Sequence, residues 1–187
     1  PLLTLDSGPV SGVTGSKYLS DLAGYKNVIT TDMGGTSFDV GLIWDGDPAF
    51  TYVSNVNQYE YFLPKVDIQA VGNGGGSLVR VDPTTNSLRV GPDSAGAVPG
   101  PVCYDQGGNI PTVTDAALVL GYISAETFAN GTIQLNKAKA EEAIGSIGKQ
   151  LSLGLMEAAA GIVKISEFQM ADLIRRMTIQ KGFDPRD

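Results

Sequence analysis

The sequence contains no histidine and a single cysteine, and these scarcities exclude several kinds of catalytic site. Without histidine, this chain cannot build a serine–histidine or a histidine–metal centre. Cys103 cannot form an internal disulfide, and it lacks the histidine that usually activates a cysteine nucleophile. We therefore interpret Cys103 as a structural residue. A single unpaired cysteine is consistent with a reducing compartment.

Basic residues are also scarce, with 13 Lys and Arg against 20 Asp and Glu and a net charge of −7. They form no concentrated run, which argues against a nucleic-acid partner. No apolar run reaches membrane-spanning length and no signal peptide is visible. We therefore expect a cytoplasmic protein that has neither a nucleic-acid nor a membrane partner. Its 187 residues, 42% of them hydrophobic, can bury a core without disulfides.

The most informative stretch, residues 32–40, reads Asp-Met-Gly-Gly-Thr-Ser-Phe-Asp-Val. Residues 27–31 before it are mostly β-branched, and apolar residues alternate along 38–43 after it, so the pattern predicts a loop between two strands. Gly34 and Gly35 carry no Cβ atom, which allows successive backbone N–H groups to point at one anion. This composition indicates a phosphate-binding loop.

The polar side chains of the same stretch suit that chemistry. Thr36 and Ser37 add hydroxyl donors, and Asp32 has the charge needed to hold a hydrated Mg²⁺ beside phosphate oxygens. Asp39 can do the same or can simply cap the turn. A tight hairpin without any ligand is the alternative interpretation, because glycine-rich turns satisfy backbone geometry by themselves. The stretch is neither a P-loop nor a dinucleotide fingerprint, since a strand follows it and no helix N-terminus is available.

Residues 32–40 resemble the second phosphate motif of the hydantoinase A, 5-oxoprolinase and ketone carboxylase family, within the actin-like ATPase superfamily. Residues 7–15, Ser-Gly-Pro-Val-Ser-Gly-Val-Thr-Gly, are similar to the segment that precedes this motif in the family. Further blocks resemble the family in the same order, at residues 72–77 (Gly-Asn-Gly-Gly-Gly-Ser), 90–97, 99–104 and 111–116.

The resemblance implies an α/β fold, namely part of an actin-like (ribonuclease H-like) ATPase domain with a β-rich insertion and C-terminal helices. It implies ATP and Mg²⁺ as cofactors and phosphoryl transfer that activates a cyclic amide or a ketone, for ring-opening hydrolysis or carboxylation. In this scheme Asp32 orients Mg²⁺ or its water, and Asp39 is a second catalytic candidate. Gly34 and Gly35 cradle phosphate, to which Thr36 and Ser37 donate.

Two family motifs are missing, an N-terminal Gly-Gly-Thr phosphate loop and a Gly-Gly-Ala-Gly adenosine motif. We therefore expect an internal fragment of a larger subunit, inactive in isolation, whose partners are the remainder of that subunit and a hydantoinase B type subunit. The substrate stays open among hydantoin, 5-oxoproline, acetone, acetophenone and other lactams or ketones. A kinase-like or chaperone-like ATPase and a noncatalytic structural fragment are the rival interpretations.

The pattern divides the chain into three zones: residues 1–43 with the phosphate motif, a Gly/Pro-rich β insertion at 44–110, and a helical part at 111–187. The first zone is predicted to hold a strand, a helix and the strand–loop–strand motif. The helix carries Gly12 and Gly15, each of which costs about 1 kcal/mol relative to alanine. Close approach to another element, or plain helix–sheet packing, is the expected compensation.

In the second zone, residues 78–82 and 87–90 predict a hairpin. Gly74, Gly75 and Gly76 lose much chain entropy on ordering, so an ordered run requires a backbone or a ligand very near it. We expect an active-site loop there that contacts the cofactor, with a flexible linker as the alternative. In the third zone, Thr112 or Thr114 caps a helix beginning near Asp115, followed by helices at 137–147 and 155–179. The cap is our interpretation of Asp115, with a metal or substrate role as the alternative.

Overall fold

A computed structural model of the protein describes residues 6–56 and 58–186. Helices and strands both occur, which confirms the predicted α/β class. The helices are α1 (Ser7–Ala23), α2 (Val113–Val119), α3 (Lys137–Leu151) and α4 (Leu155–Met177). The strands are β1 (Val28–Met33), β2 (Phe38–Trp44), β3 (Asp47–Pro48), β4 (Phe50–Thr51), β5 (Ser54–Val56), β6 (Tyr59–Tyr61), β7 (Lys65–Val66), β8 (Ile68–Val71), β9 (Ser77–Val81) and β10 (Leu88–Ser94).

The described chain forms two compact units. The first unit comprises residues 6–32, 39–56, 58–70 and 171–186, and the second comprises 33–38 and 71–170. The strand predicted ahead of α1 falls on residues 1–5 and lies outside the described residues. None of the helices within 6–56 and 58–186 is both long enough and apolar enough to cross a membrane.

In the first unit, α1 packs on a sheet of order β1-β2-β3, in which β8 also pairs with β2. Val40, Leu42 and Ile43 of β2 are almost fully buried. A Cβ atom at Gly41 would lie 2.7 Å from Val13 Cγ2 of α1 and 2.7 Å from the Thr30 hydroxyl oxygen. The missing side chain of Gly41 therefore permits α1 to lie against the sheet.

The predicted close packing of the glycines on α1 is wrong for the residues described. A Cβ atom at Gly12 or Gly15 would have no described atom within 4 Å. Both residues are exposed, whereas Val13 on the other side of the helix is buried. Helix–sheet packing uses Gly41 of β2 instead, where the Val13 side chain of α1 lies close to the strand backbone.

In the second unit, β9 and β10 form the antiparallel hairpin that was predicted, with Leu88 opposite Val81. The hairpin, α2, α3 and the first part of α4 surround one hydrophobic core, whose largest fully buried members are Val79, Leu118, Ile144 and Ile162. The helical periodicity located α3 and α4 correctly at their first residues. Their last residues, Leu151 and Met177, differ from the predicted ones by four and two positions.

Asp115 is fully buried and its carboxylate holds two segments of the second unit together. Of the two predicted caps, Thr112 is the one that forms, and it makes a capping box with Asp115, in which the Thr112 backbone N–H donates to Oδ2 at 2.8 Å. The backbone N–H groups of Val102 and Cys103 also donate to this carboxylate, at 3.2 and 2.7 Å. Asp115 thus caps α2 and fixes the 3₁₀ turn Val102–Tyr104.

We expect Asp115→Asn to destabilise the protein by about 2–3 kcal/mol. The amide replaces one acceptor oxygen with a donor, which leaves a buried backbone N–H without a partner. Thermal unfolding of the purified variant measures this. The same substitution at Asp93, whose ion pair with Arg80 is exposed to solvent, is the control and should change the midpoint far less. Equal shifts for both variants would contradict the assigned role of Asp115.

Candidate phosphate loop and carboxylate cleft

The predicted phosphate loop, residues 34–37, lies between β1 and β2 and is shaped by backbone hydrogen bonds within the second unit. The Gly34 N–H donates to the Ser37 carbonyl at 2.9 Å and closes the turn. The Gly34 and Gly35 carbonyls accept from the N–H groups of Gly75 and Gly76, at 3.0 and 2.7 Å. Each carbonyl of the glycine pair is therefore held by the glycine run that the sequence also singled out.

This pairing fixes where the neighbouring amides point. In a trans peptide the N–H lies opposite the C=O of the same unit, so the N–H groups of Gly35 and Thr36 face away from the triple-glycine run. Within the described part of the chain, neither N–H donates a hydrogen bond. Gly35 and Thr36 are both exposed. The loop therefore presents two successive backbone donors to solvent, the arrangement that suits an anion.

The triple-glycine loop, residues 74–76, packs against the 34–37 loop and is itself held by hydrogen bonds. The Gly74 N–H donates to the Ser77 hydroxyl at 2.8 Å, so all three N–H groups of this run have partners within the chain. The Thr114 N–H and hydroxyl both donate to the Gly75 carbonyl at 2.8 Å. The expected close approach is thus made by backbone, and direct contact of these glycines with a cofactor stays a prediction.

Steric contact explains why three glycines stand together there. A Cβ atom at Gly74 would lie 2.6 Å from the Gly34 carbonyl oxygen, and one at Gly76 would lie 2.8 Å from the Gly35 carbonyl oxygen. A Cβ atom at Gly75 would lie 2.7 Å from the Thr114 hydroxyl oxygen. No side chain fits at any of these positions without displacing a neighbour.

Three polar residues that sequence reasoning missed complete this arrangement. Asn73 is fully buried; its amide donates to the Ser166 carbonyl and accepts from the Ser166 hydroxyl, both at 2.8 Å. The Ser94 hydroxyl lies 3.3 Å from the Thr36 hydroxyl and 3.4 Å from the Gly35 carbonyl oxygen. An Asn directly before a glycine run was the one local signal available, whereas Ser94 and Ser166 lie far away in sequence.

The two predicted carboxylates line a single cleft in the first unit. Asp32 of β1 and Asp39 of β2 share this carboxylate cleft, about 150 Å³ in volume, with the hydroxyl-bearing residues Ser16, Thr30 and Thr31. No cluster of three or more His, Cys, Asp or Glu side chains suited to a metal occurs among the described residues. Two carboxylates among hydroxyls are nevertheless hard oxygen donors, which fit Mg²⁺ that keeps waters and phosphate oxygens as its other ligands.

In the second unit, Cys103 lies in the hydrophobic core, and Arg80 and Asp93 form an ion pair. Cys103 is fully buried, and this burial, assisted by the nearby Asp115 charge, raises the pKa of its thiol well above the usual range. A buried neutral thiol is a poor nucleophile, in agreement with the structural interpretation. Arg80 and Asp93 pair with each other at 2.9 Å.

We expect Gly74→Ala to destabilise the protein by about 1–3 kcal/mol, because the added methyl group meets backbone atoms of the 34–37 loop and forces them to move. Gly145→Ala in α3 is the matched control. Its added methyl group meets nothing within 4 Å and should stabilise the helix by up to about 1 kcal/mol. Urea unfolding of both variants tests this, and a neutral Gly74→Ala would show that the two loops are not in contact.

Cys103 should resist alkylation in the folded protein. At pH 8 its raised pKa keeps the thiol protonated, and burial blocks access, so iodoacetamide should modify it at least ~100-fold more slowly than in denaturant. Mass spectrometry of timed samples measures the two rates. Fast labelling of the native protein would contradict both the burial and the pKa direction.

Comparison with known proteins identifies the family. The protein-family model described as Hydantoinase/oxoprolinase matches residues 1–187. The chain is 45% identical over 186 residues to the acetophenone carboxylase gamma subunit of Aromatoleum aromaticum, covering 98% of this chain and 25% of that protein. It is 43% identical over 184 residues to the caprolactamase subunit alpha of Pseudomonas jessenii, covering 98% of this chain and 26% of that protein.

A solved structure shows the same fold. The nucleotide-free structure of acetone carboxylase, from work on ATP-dependent acetone carboxylation, superposes with a TM-score of 0.88 at 38% identity. The match covers 96% of this chain and 25% of that one. The chain therefore spans about a quarter of the length of the relatives it matches. These similarities confirm the resemblance read from the motifs: the chain belongs to the hydantoinase/oxoprolinase family.

Proposed function

We propose that the protein is part of an ATP-dependent subunit that activates a small carbonyl compound, a cyclic amide or a ketone, by phosphoryl transfer. The matched relatives are named for acetophenone, caprolactam and acetone, which are all carbonyl compounds, and the last two are described as ATP-dependent. The proposal extends this shared chemistry to a chain that spans a quarter of their length. We also propose that the chain is part of an actin-like ATPase domain, as its motifs predict.

The observation that carries the proposal is the pair of amides at Gly35 and Thr36, which donate to no residue that the structure describes. Two adjacent N–H groups held in fixed orientation can donate to the oxygens of one phosphate without reorganising during the reaction. Their orientation is imposed by the hydrogen bonds that Gly75 and Gly76 make to the opposite side of the same peptide units. Ser37 and the Thr36 hydroxyl stand beside these amides as further candidate contacts.

Asp32 and Asp39, which flank the loop in sequence, are the proposed acidic residues of the site. Bound Mg²⁺ would neutralise phosphate charge as that charge develops, and these two carboxylates in the carboxylate cleft would hold it. Asp32 is exposed at the end of β1, where a hydrated ion can approach it. Asp39 is half-buried on β2 and is the second proposed ligand.

The proposed reaction transfers the terminal phosphoryl group of ATP to the oxygen of the carbonyl compound or its enolate. One P–O bond to ADP breaks, one P–O bond to the substrate oxygen forms, and ADP carries away the electron pair. Little covalent chemistry is required of the protein, whose contribution is to orient the nucleotide and stabilise charge. The Gly35 and Thr36 amides supply that stabilisation at fixed positions.

The complete enzyme is proposed to contain the remainder of this subunit and a hydantoinase B type partner, in the cytoplasm. Carbonyl-dependent ATP cleavage by the purified complex, assayed with and without bicarbonate, separates the two reaction types. A requirement for bicarbonate assigns carboxylation, whereas full activity without it assigns ring-opening hydrolysis.

We expect Asp32→Asn in the complete subunit to weaken Mg-ATP binding by about 10- to 150-fold, since a charge-assisted contact contributes about 1.5–3 kcal/mol. Gly35→Ala should also weaken binding, because its added methyl group meets no described protein atom within 4 Å and adds bulk next to the Gly35 amide. Asp47→Asn, an exposed change on β3 outside the carboxylate cleft, is the control. Isothermal titration calorimetry measures the three dissociation constants.

Absence of Mg-ATP binding in the unmodified subunit would refute the proposal and favour a structural role. Nucleotide binding that triggers no carbonyl-dependent cleavage, with any of the ketones or lactams tested, would instead favour a kinase-like or chaperone-like ATPase.

A further inference from the structure

Beside the 34–37 loop, the second unit contains an open groove of about 370 Å³, which we call the aromatic groove. Its lining includes Gly34, Gly35, Gly75 and Gly76, which offer only backbone, together with the aromatic residues Tyr104 and Phe128. The ring centroids of Tyr104 and Phe128 lie 5.7 Å apart at an interplanar angle of 48°. The volume is within the range of small-molecule sites, about 300–1,000 Å³.

The lining of the aromatic groove carries no charge. Its remaining residues are Met33, Gly96, Pro101 and Thr114, and none of the lining side chains is ionised at neutral pH. Burial raises the pKa of Tyr104, which keeps its phenol protonated. An ionic ligand would lose its hydration there without gaining an opposite charge, so the groove favours a neutral molecule with an apolar body.

Hydrogen-bonding groups in the groove are few. The Thr114 hydroxyl already donates to the Gly75 carbonyl. The Tyr104 hydroxyl makes no hydrogen bond to any residue that the structure describes. It is thus the available side-chain donor of the groove, and a carbonyl oxygen is the acceptor it suits.

The aromatic wall is held in position before any ligand arrives. Asp115 accepts from the N–H groups of Val102 and Cys103 and so fixes the turn that carries Tyr104. A Cβ atom at Gly100 would lie 2.9 Å from Tyr104 Cδ2, so the ring rests directly on backbone. A rigid wall loses little conformational entropy on binding.

We propose that the aromatic groove binds the carbonyl substrate, a small neutral ketone or lactam, with its apolar body against Tyr104 and Phe128 and its oxygen at the Tyr104 hydroxyl. The inference rests on the proposed function, since Gly34 and Gly35 belong to both the groove and the loop assigned to phosphate. It narrows the substrate class, because 5-oxoproline carries a carboxylate for which the groove offers no cation.

The first test measures binding of acetophenone, caprolactam and 5-oxoproline to the complete enzyme by ligand-observed NMR. Gly96→Asn fills the groove at an exposed glycine with φ +64°, a conformation that Asn tolerates, where the added Cβ meets nothing closer than 4.0 Å. Gly121→Asn, at an exposed glycine with φ +77° outside the groove, is the matched control.

We expect the enzyme to bind acetophenone or caprolactam but not 5-oxoproline. Gly96→Asn should weaken that binding at least ~10-fold and Gly121→Asn less than ~2-fold, because only the former occupies the ligand's space. Failure of both neutral probes to bind, preferential binding of 5-oxoproline, or equal effects of the two variants would overturn the inference.

The second test assigns Tyr104 as a positioning and specificity residue. Tyr104→Phe keeps the ring and removes the donor, so it should raise KM for the carbonyl compound about 5–10-fold and leave KM for ATP unchanged. A rise in KM for ATP alone would mean that a nucleotide base occupies the groove, and would overturn the inference.

Nucleotide titration keeps failure of the inference distinct from failure of the proposed function. If Mg-ATP does not bind but the neutral probes still bind in a Gly96-sensitive manner, the groove assignment stands and the phosphate-loop assignment fails. If Mg-ATP binds and the probes do not, the reverse holds.

Discussion

Two backbone hydrogen bonds, from the Gly75 and Gly76 N–H groups to the Gly34 and Gly35 carbonyls, determine what the 34–37 loop can do. They hold one side of two successive peptide units, and peptide planarity then directs the opposite N–H groups outward. The contact requires glycine at positions 74 and 76, because any Cβ atom there would overlap the backbone of the 34–37 loop. The proposed phosphate chemistry and the geometry of the aromatic groove both depend on this pairing.

Buried polar groups extend the same constraint through the second unit. Asn73 and Ser166 connect the start of the triple-glycine loop to α4, and Thr114 at the first turn of α2 donates to Gly75. One residue further along α2, Asp115 fixes the turn that precedes Tyr104. The loop and the aromatic wall are therefore supported by neighbouring residues of one short helix, and every acceptor involved is satisfied.

The sequence predicted the features that arise from local pattern. Helical periodicity located α3 and α4, the Thr112 cap followed from residue type, and alternation found the hairpin of β9 and β10. The order of the motifs along the chain predicted the family. Contacts between distant segments were not accessible in this way: residues 34–35 and 74–76 both read as glycine-rich turns, but nothing local shows that they pair with each other. The same limit explains why helix–sheet packing was assigned to glycines of α1 when Gly41 of β2 provides it.

The main-chain hydrogen bonds between the two glycine runs have a consequence for evolution. The two hydrogen bonds that join the glycine runs are made by main-chain atoms, so side-chain replacement acts on them only through supporting residues such as Ser94 and Thr114. Diversification among enzymes built on this scaffold would then fall on the residues around it, such as positions 104 and 128. Under the proposed function, nucleotide binding would stay constant while the preferred carbonyl compound changes.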